Sequence, residues 1–338
     1  MKKPVKAILF LFVIAVVVTS VIVCSTSKFE PSEYYTESDR NLTATDFEET
    51  VQNLYALENT WDTALPQTEI YNLISEHFSS PLPKGKKEKK AIVIGYDGCR
   101  VDTLTLLATA KEKKSGINLI LNDRGHGVFS YCGGVNYPAE NTQDTSTAPG
   151  WCSMLTGVLA DKHGVYENGH PKEVEPKTLL LSLVESKHAD SSAFYVSWKG
   201  HFTNKDATYV NEVEYAEKNK LPVTFLRAED DEGTKANVLK DINSGDKCSD
   251  FIFLTLEYTD HSGHNTGFSL GNPVYVNGFR EADAAGAEFI QAIKARETYD
   301  KEDWLIIITT DHGGIKKKHG GPSMEERITF IIANKELM

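Results

Sequence analysis

Three aspartates each follow an apolar run of strand length. Asp97 comes after Ala91–Tyr96 (AIVIGY), Asp260 after FIFLTLEYT, and Asp311 after LIIITT. Histidines stand close behind two of them. His264 lies four residues beyond Asp260, His312 adjoins Asp311, and His319 lies eight residues beyond Asp311. Any one aspartate behind a strand reads as ordinary loop structure. Three of them with three imidazoles read as a ligand set. Carboxylate and imidazole suit zinc, and a carboxylate-rich set also admits manganese. The spacing is not that of a short helical HExxH site.

Between the first and second aspartates runs Thr145-Ser-Thr-Ala-Pro-Gly-Trp-Cys-Ser-Met-Leu-Thr-Gly157. This resembles the nucleophile motif of the alkaline phosphatase superfamily. Its nucleotide pyrophosphatase/phosphodiesterase branch carries Thr-x-Pro-x-His followed by a helix and Thr-Gly. Thr147-Ala-Pro149 matches the start, and Leu155-Thr-Gly157 matches the end. His163-Gly164-Val165 and Asn168 follow, similar to the family's His-Gly-Ile and downstream Asn. Asp97-Gly98-x-Arg100, Asp260-His-Ser-Gly-His264 and Asp311-His312-Gly313 resemble its ligand motifs. The resemblance runs in family order from about Ala91 to the C-terminus.

It implies Thr147 as nucleophile and two divalent cations, zinc or else manganese, about 3.5–4 Å apart. Asp97, Thr147, Asp311 and His312 would hold one; Asp260, His264 and His319 would hold the other. Asn168 would donate a hydrogen bond to a phosphoryl oxygen. Two departures bear on the substrate. Threonine at the nucleophile position, with Trp151 where the sulfatase branch has Arg, speaks against a formylglycine sulfatase. His319-Gly-Gly follows the Asp-His-Gly motif at a spacing more similar to phosphoethanolamine transferases of glycolipid-anchor synthesis.

Each residue also has a plainer reading. Thr147 could be the N-cap of the helix that follows. Asn168 could be a turn residue in Glu167-Asn168-Gly169. Trp198 and Lys199 follow a strand and could line a substrate pocket, or Trp198 could pack in the core. His261 lies beside the ligands or faces solvent, and His170 reads as a loop residue. Asp102 reads as a cap on the next helix, and Asp283 as a buried structural carboxylate.

Elements that could position these groups alternate along the chain. Strands are expected over 91–96, 193–197, 251–257 and 304–310, and helices over 47–57, 70–78, 101–110, 177–186 and 273–296. Such alternation implies an α/β fold, with a mostly parallel central sheet and helices on both faces. Sheets of this kind bind ligands at the carboxyl ends of their strands. The resemblance makes that fold alkaline phosphatase-like. The expected organisation is a membrane anchor or signal segment over 1–28, a stalk and helical extension over 29–90, and a catalytic domain over 91–338. Pro81–Lys90 reads as a linker ending in a solvated lysine run.

The N-terminal expectation rests on Lys2, Lys3 and Lys6 before an apolar run from Ala7 to Cys24. A run of roughly 18 such residues can just span a bilayer. The basic flank would stay inside, leaving the rest extracytoplasmic on a single anchor in the cell membrane, or secreted if the segment is cleaved. Cys24 also admits a lipoprotein reading, although Val23 is bulky for one. Four further cysteines, Cys99, Cys132, Cys152 and Cys248, could form disulfides in an oxidising compartment by any of three complete pairings.

The 338 residues carry a formal net charge of -12. So acidic a chain is a poor nonspecific partner for a nucleic-acid polymer. The function expected is metal-dependent phosphodiester hydrolysis on a small molecule or a lipid or glycan headgroup. A phosphoethanolamine-type headgroup transferase is the alternative, and a catalytically silent surface binding protein is a third.

Overall fold

The computed structural model describes residues 42–55, 57–107, 114–134, 143–169, 174–203 and 207–337. The apolar run 7–24, the polar stalk up to residue 41 and His170 lie outside them. Among the described residues no helix is long and apolar enough to cross a membrane.

Eight strands form one sheet: β1 (Leu65–Pro66), β2 (Glu88–Tyr96), β3 (His126–Tyr131), β4 (Ser192–Val196), β5 (Val223–Arg227), β6 (Phe251–Leu256), β7 (Glu302–Thr309) and β8 (Ile328–Ala333). Their order is β1-β3-β8-β7-β2-β6-β4-β5. β8 runs antiparallel to β3 and β7, while all other neighbours are parallel. The longer helices are α1 (Ala44–Tyr55), α2 (Glu69–Ser79), α3 (Thr147–Thr156), α4 (Val210–Asn219), α5 (Asp231–Ile242), α6 (Tyr258–Thr266) and α7 (Pro273–Lys294).

The central strands read as unbroken apolar runs because both faces are covered. Successive side chains point to opposite faces. Ile92, Ile94, Ile252, Leu254, Ile306 and Ile308 pack against Phe279, Phe289 and Ile293 of α7 and against Phe47 and Val51 of α1. Val93, Phe251, Phe253 and Ile307 face Ile70, Ile74 and Phe78 of α2 and Trp151, Met154 and Leu155 of α3. Helices before residue 91 therefore contribute to both cores.

Four expectations are corrected. Where a helix over 101–110 was expected, Val101–Leu106 forms a 3-10 segment in which the Thr103 and Thr105 hydroxyls bond back to the Arg100 and Asp102 carbonyls, and 108–110 lie outside the described residues. Asp102 is not a cap; its two oxygens accept from Arg100 Nε and Nη2 at 3.0 and 2.7 Å. The lysine run is not all solvated linker. Glu88–Lys90 already belongs to β2, and Lys90 is buried, reaching Asp250 at 2.8 Å and the Cys248 carbonyl at 2.9 Å. All four cysteines outside the N-terminal run are free and buried.

Asp283 is buried as expected. It accepts from the Ile117 N–H at 2.9 Å, and burial pushes its carboxyl up to about 6.

Candidate active site

Strands β7, β2 and β6 are neighbours at the centre of the sheet, so the ends carrying Asp311, Asp97 and Asp260 lie side by side. Pairing continues to the first of them, because the Asp97 N–H donates to the Leu256 carbonyl of β6 at 2.9 Å. Asp260 stands in the first turn of α6, one turn before His264, with its Oδ2 3.4 Å from His264 Nε2. Gly98 permits this approach. Its φ is +64°, and a Cβ there would stand 2.7 Å from Asp260 Oδ1.

Thr147 opens α3, while Ser146, not Thr147, occupies the N-cap position. The Thr147 hydroxyl is buried and points at the ligands, with Oγ1 3.5 Å from both Asp97 Oδ1 and His312 Nε2. Asn168 reaches the same helix end, where its Oδ1 accepts from the Ala148 N–H at 2.8 Å. That bond commits the amide oxygen and leaves the NH₂ group as the free donor. It also removes the Ala148 amide from any role in holding a phosphoryl oxygen.

The three imidazoles share one arrangement. Nδ1 of His312 lies 2.7 Å from the Gly313 carbonyl, Nδ1 of His264 2.9 Å from that of Lys317, and Nδ1 of His319 3.2 Å from that of Thr145. A carbonyl only accepts, so each Nδ1 carries a proton, and in the neutral ring Nε2 then presents the lone pair. Those lone pairs converge. His319 Nε2 is 3.1 Å from His264 Nε2 and 3.7 Å from Asp260 Oδ1, and its ring stacks on His312 at 3.9 Å. His312 Nε2 is 3.3 Å from Asp311 Oδ2 and 3.6 Å from Asp97 Oδ1. The turn over 315–318, where the Ile315 N–H donates to the Lys318 carbonyl at 3.0 Å and Lys316 takes φ +56°, returns His319 to the cluster.

Among the described residues, three sets of ligand atoms come within cation-binding reach of one another: Asp97, Asp311 and His312; Asp260, His312 and His319; and Asp97, Glu257 and Asp260. Asp260 Oδ1, Asp311 Oδ2 and Glu257 Oε1 are buried with no protein partner. Buried oxygens left unpaired beside lone pairs of the same polarity are costly without a positive charge between them. Burial and Asp260 push the Asp97 carboxyl well above the usual carboxylate range; burial and Asp97 do the same to Asp311. Burial raises Asp260 to about 7, while burial and His264 lower His319 to about 4. Burial, then His319, also holds His312 well below its ordinary value. Neutral imidazoles facing crowded carboxylates fit divalent cations.

Two residues escaped the sequence reading. Trp151, noticed only as a departure from a motif, donates from Nε1 to Asp97 Oδ2 at 2.9 Å inside the core. Glu257, read as part of a strand, lies just past β6 at the N-cap of α6, with its carboxylate near Asp97 and Asp260. His163 is structural: Nδ1 accepts from the Val165 N–H at 3.1 Å, and Nε2 meets Ser153 Oγ at 3.0 Å.

A cavity of about 690 Å³ opens over the cluster, lined by Thr147, Asn168, Trp198, Asp260, His264 and His319 among others. Lys199 is exposed and does not line it. His261 is exposed and does.

The sequence profile of the type I phosphodiesterase / nucleotide pyrophosphatase family matches residues 91–322. The chain belongs to that family. That family lies within the alkaline phosphatase superfamily. No curated protein sequence matches it. Among solved structures, murine ectonucleotide pyrophosphatase / phosphodiesterase 5, inactive and in complex with AMP, is similar at 17% identity and a TM-score of 0.44, covering 67% of this chain and 57% of that one. The C-terminal periplasmic domain of phosphoethanolamine transferase EptC from Campylobacter jejuni is similar at 15% identity and 0.45, covering 74% and 80%. Alkaline phosphatase from the Antarctic bacterium TAB5 is similar at 11% and 0.42, covering 73% and 91%. Likenesses this distant assign no residue and no substrate. This type I phosphodiesterase family member thus spans little more than half of the murine protein.

Proposed function

We propose that this protein hydrolyses phosphodiesters through a covalent phosphothreonine at Thr147, beside two divalent cations. The observation that carries the reading is the buried Thr147 hydroxyl, 3.5 Å from both Asp97 Oδ1 and His312 Nε2, under an open cavity. Asp97, Asp311, His312 and Thr147 would hold one cation, and Asp260, His264 and His319 the other; the mixed carboxylate and imidazole set suits zinc, with manganese the alternative. Such a pair, when bound, lowers the pKa of a neighbouring hydroxyl and stabilises charge on the transferring and leaving oxygens.

The chain's own residues do the rest. α3 aims the Thr147 oxygen at phosphorus. As the Oγ1–P bond forms, the bond from phosphorus to the departing alcohol breaks, and the hydroxyl proton passes to solvent. The Asn168 NH₂ donates to a phosphoryl oxygen, its plane set by the Ala148 N–H. Trp151 holds Asp97 in place. Water then attacks phosphorus, and Thr147 leaves with its proton restored. An acceptor alcohol in place of that water would make the protein a transferase, a variant favoured by the closeness of His319 to Asp311 in the chain. We place this chemistry outside the cytoplasm, on the strength of the basic flank and apolar run at 2–24.

Hydrolysis of bis-p-nitrophenyl phosphate, its monoester and p-nitrophenyl sulfate, with and without chelator, tests the reading. The diester should be preferred and the chelator should abolish turnover. Thr147→Ala should lose about a thousandfold or more in kcat while keeping its metal content, and Thr147→Ser should retain some activity. Diester turnover by Thr147→Ala near the parental rate would overturn it.

A further inference from the structure

The two halves of the ligand cluster are enclosed differently. The side chains of Asp97, Asp311 and His312 have no exposure at all. The other half opens to the cavity: the His264 side chain is 44% exposed, that of Asp260 11% and that of His319 8%. Asp97 is steered by Trp151 Nε1 at 2.9 Å and Asp311 by the Gly98 N–H at 3.2 Å. His264 stands on an open helix face, where its bond to the Lys317 carbonyl leaves the tilt of the ring to be set by something else.

One apolar side chain stands behind this open half. Phe268 is fully buried, just past the end of α6. Its ring meets His264 edge-on, with centroids 5.6 Å apart and planes at 81°, and His319 at 6.3 Å and 85°. Two glycines make room for it. A Cβ at Gly263, on α6, would run into Phe268 Cε1, and one at Gly314, on the loop that carries His319, would run into its Cγ. The ring is thus lodged against both segments that supply the imidazoles, at an approach that only glycine permits.

The backbone of Phe268 is tied on both sides. Its N–H donates to the Lys316 carbonyl at 2.7 Å, next to the carbonyl that fixes His264. Its carbonyl accepts from Arg100 Nη1 at 2.9 Å, while Nε and Nη2 of the same buried guanidinium hold Asp102. The preceding Gly267 carbonyl accepts from the Asn272 side-chain amide at 2.6 Å. Aromatic pairs favour edge-on contact, and an apolar group beside a metal site limits both water and the orientations open to the ligands.

We infer that Phe268 is a positioning residue for the second cation. It sets the angle at which His264 and His319 present Nε2, and it leaves the buried half of the cluster to Trp151 and Gly98. The inference rests on the two-cation reading of the site.

The test titrates zinc into the metal-free full chain against a chromophoric chelator, resolving the stepwise affinities. His264→Ala marks the step that belongs to the second site by removing it. Phe268→Leu keeps an apolar side chain without the flat ring; it should weaken that step about tenfold and leave the other within about twofold. Release of zinc to excess chelator is the second readout, and its faster phase should quicken by a similar factor. Phe289→Leu, fully buried on α7 in the core, should lower the urea midpoint and change neither step, which separates positioning from lost stability. Gly263→Ala displaces the ring from the helix side and should weaken the same step, so it carries the test if Phe268→Leu does not fold. Equal weakening of both steps, or of neither, in folded Phe268→Leu or, failing that, in Gly263→Ala would overturn the inference and leave the two-cation reading standing. A parent that binds a single zinc would defeat the two-cation reading. If His264→Ala then kept that zinc, the inference would fall with it; if His264→Ala lost it, Phe268→Leu should weaken that single step.

Discussion

Replacing Trp151 with phenylalanine removes one hydrogen-bond donor from the centre of the site. The indole N–H meets Asp97 Oδ2 at 2.9 Å, and both residues are fully buried, so water cannot substitute. A hydrogen bond to a charged acceptor contributes about 1.5–3 kcal/mol, which corresponds to roughly ten- to hundredfold in a binding constant. Loss of a residue that orients a metal ligand carries a penalty of about the same size. The variant should therefore bind zinc roughly ten- to hundredfold more weakly in a competition titration with a chromophoric chelator. The smaller ring also loosens an edge-on contact with Phe253, at 5.7 Å between centroids, worth about 0.5–1.5 kcal/mol of stability. Phe253→Leu separates the two effects, since it disturbs that contact without touching Asp97. It should lower the urea midpoint and leave zinc affinity in place. If Trp151→Phe keeps its near-UV circular dichroism and binds zinc within about threefold of the parent, the indole does not position Asp97 and the reasoning fails.

Other outcomes follow from the same geometry. His319→Ala should lower metal stoichiometry and diester turnover together; unchanged values of both would remove His319 from the ligand set. Gly98→Ala should cost on the order of 2 kcal/mol in urea unfolding, because its φ of +64° suits glycine and the new Cβ would stand 2.7 Å from Asp260 Oδ1. A cost below about 0.5 kcal/mol would mean that α6 shifts freely. Burial alone would raise the Glu302 carboxyl, but Arg296, Trp304 and Thr298 outweigh it and hold it at about 2, against an ordinary 4.5. Its contribution to stability is complete above pH 4.5 and drains away as pH falls toward 2. The urea midpoint of Glu302→Gln should accordingly depend less on pH than the parent's across that window, and parallel profiles would refute the assignment.

Much of the fold was legible along the chain. β2, β6 and β7 announce themselves as apolar runs of strand length, and helices 69–79 and 273–294 fall within a residue or two of their expected spans. Less visible were the strands at and near the edges. β5 is only half covered, with Leu226 39% exposed, so VTFLR carries little apolar signal. β8 is a clear apolar run, but nothing within ITFIIA encodes that it lies reversed between β3 and β7. Direction is decided by pairing with partners about twenty to two hundred residues away in the chain.

Residue type and local spacing were enough to pick out Asp97, Asp260, His264, Asp311, His312 and His319 as a candidate set, and the resemblance to the alkaline phosphatase superfamily added Thr147. One turn of helix joins Asp260 to His264, and a tight turn over 315–318 keeps His319 near Asp311. What only the tertiary structure decided is how those groups face. The order β7-β2-β6 sets the three strand ends side by side. Backbone carbonyls at Gly313, Lys317 and Thr145 choose which nitrogen of each imidazole keeps its proton. Asp97 is steered by an indole 54 residues away, and Asn168 is oriented by an amide 20 residues back. Chemistry of this kind needs lone pairs aimed to within a fraction of an ångström. A linear spacing can propose which residues meet, but the direction in which each one points is set by hydrogen bonds to atoms that come near only when the sheet closes.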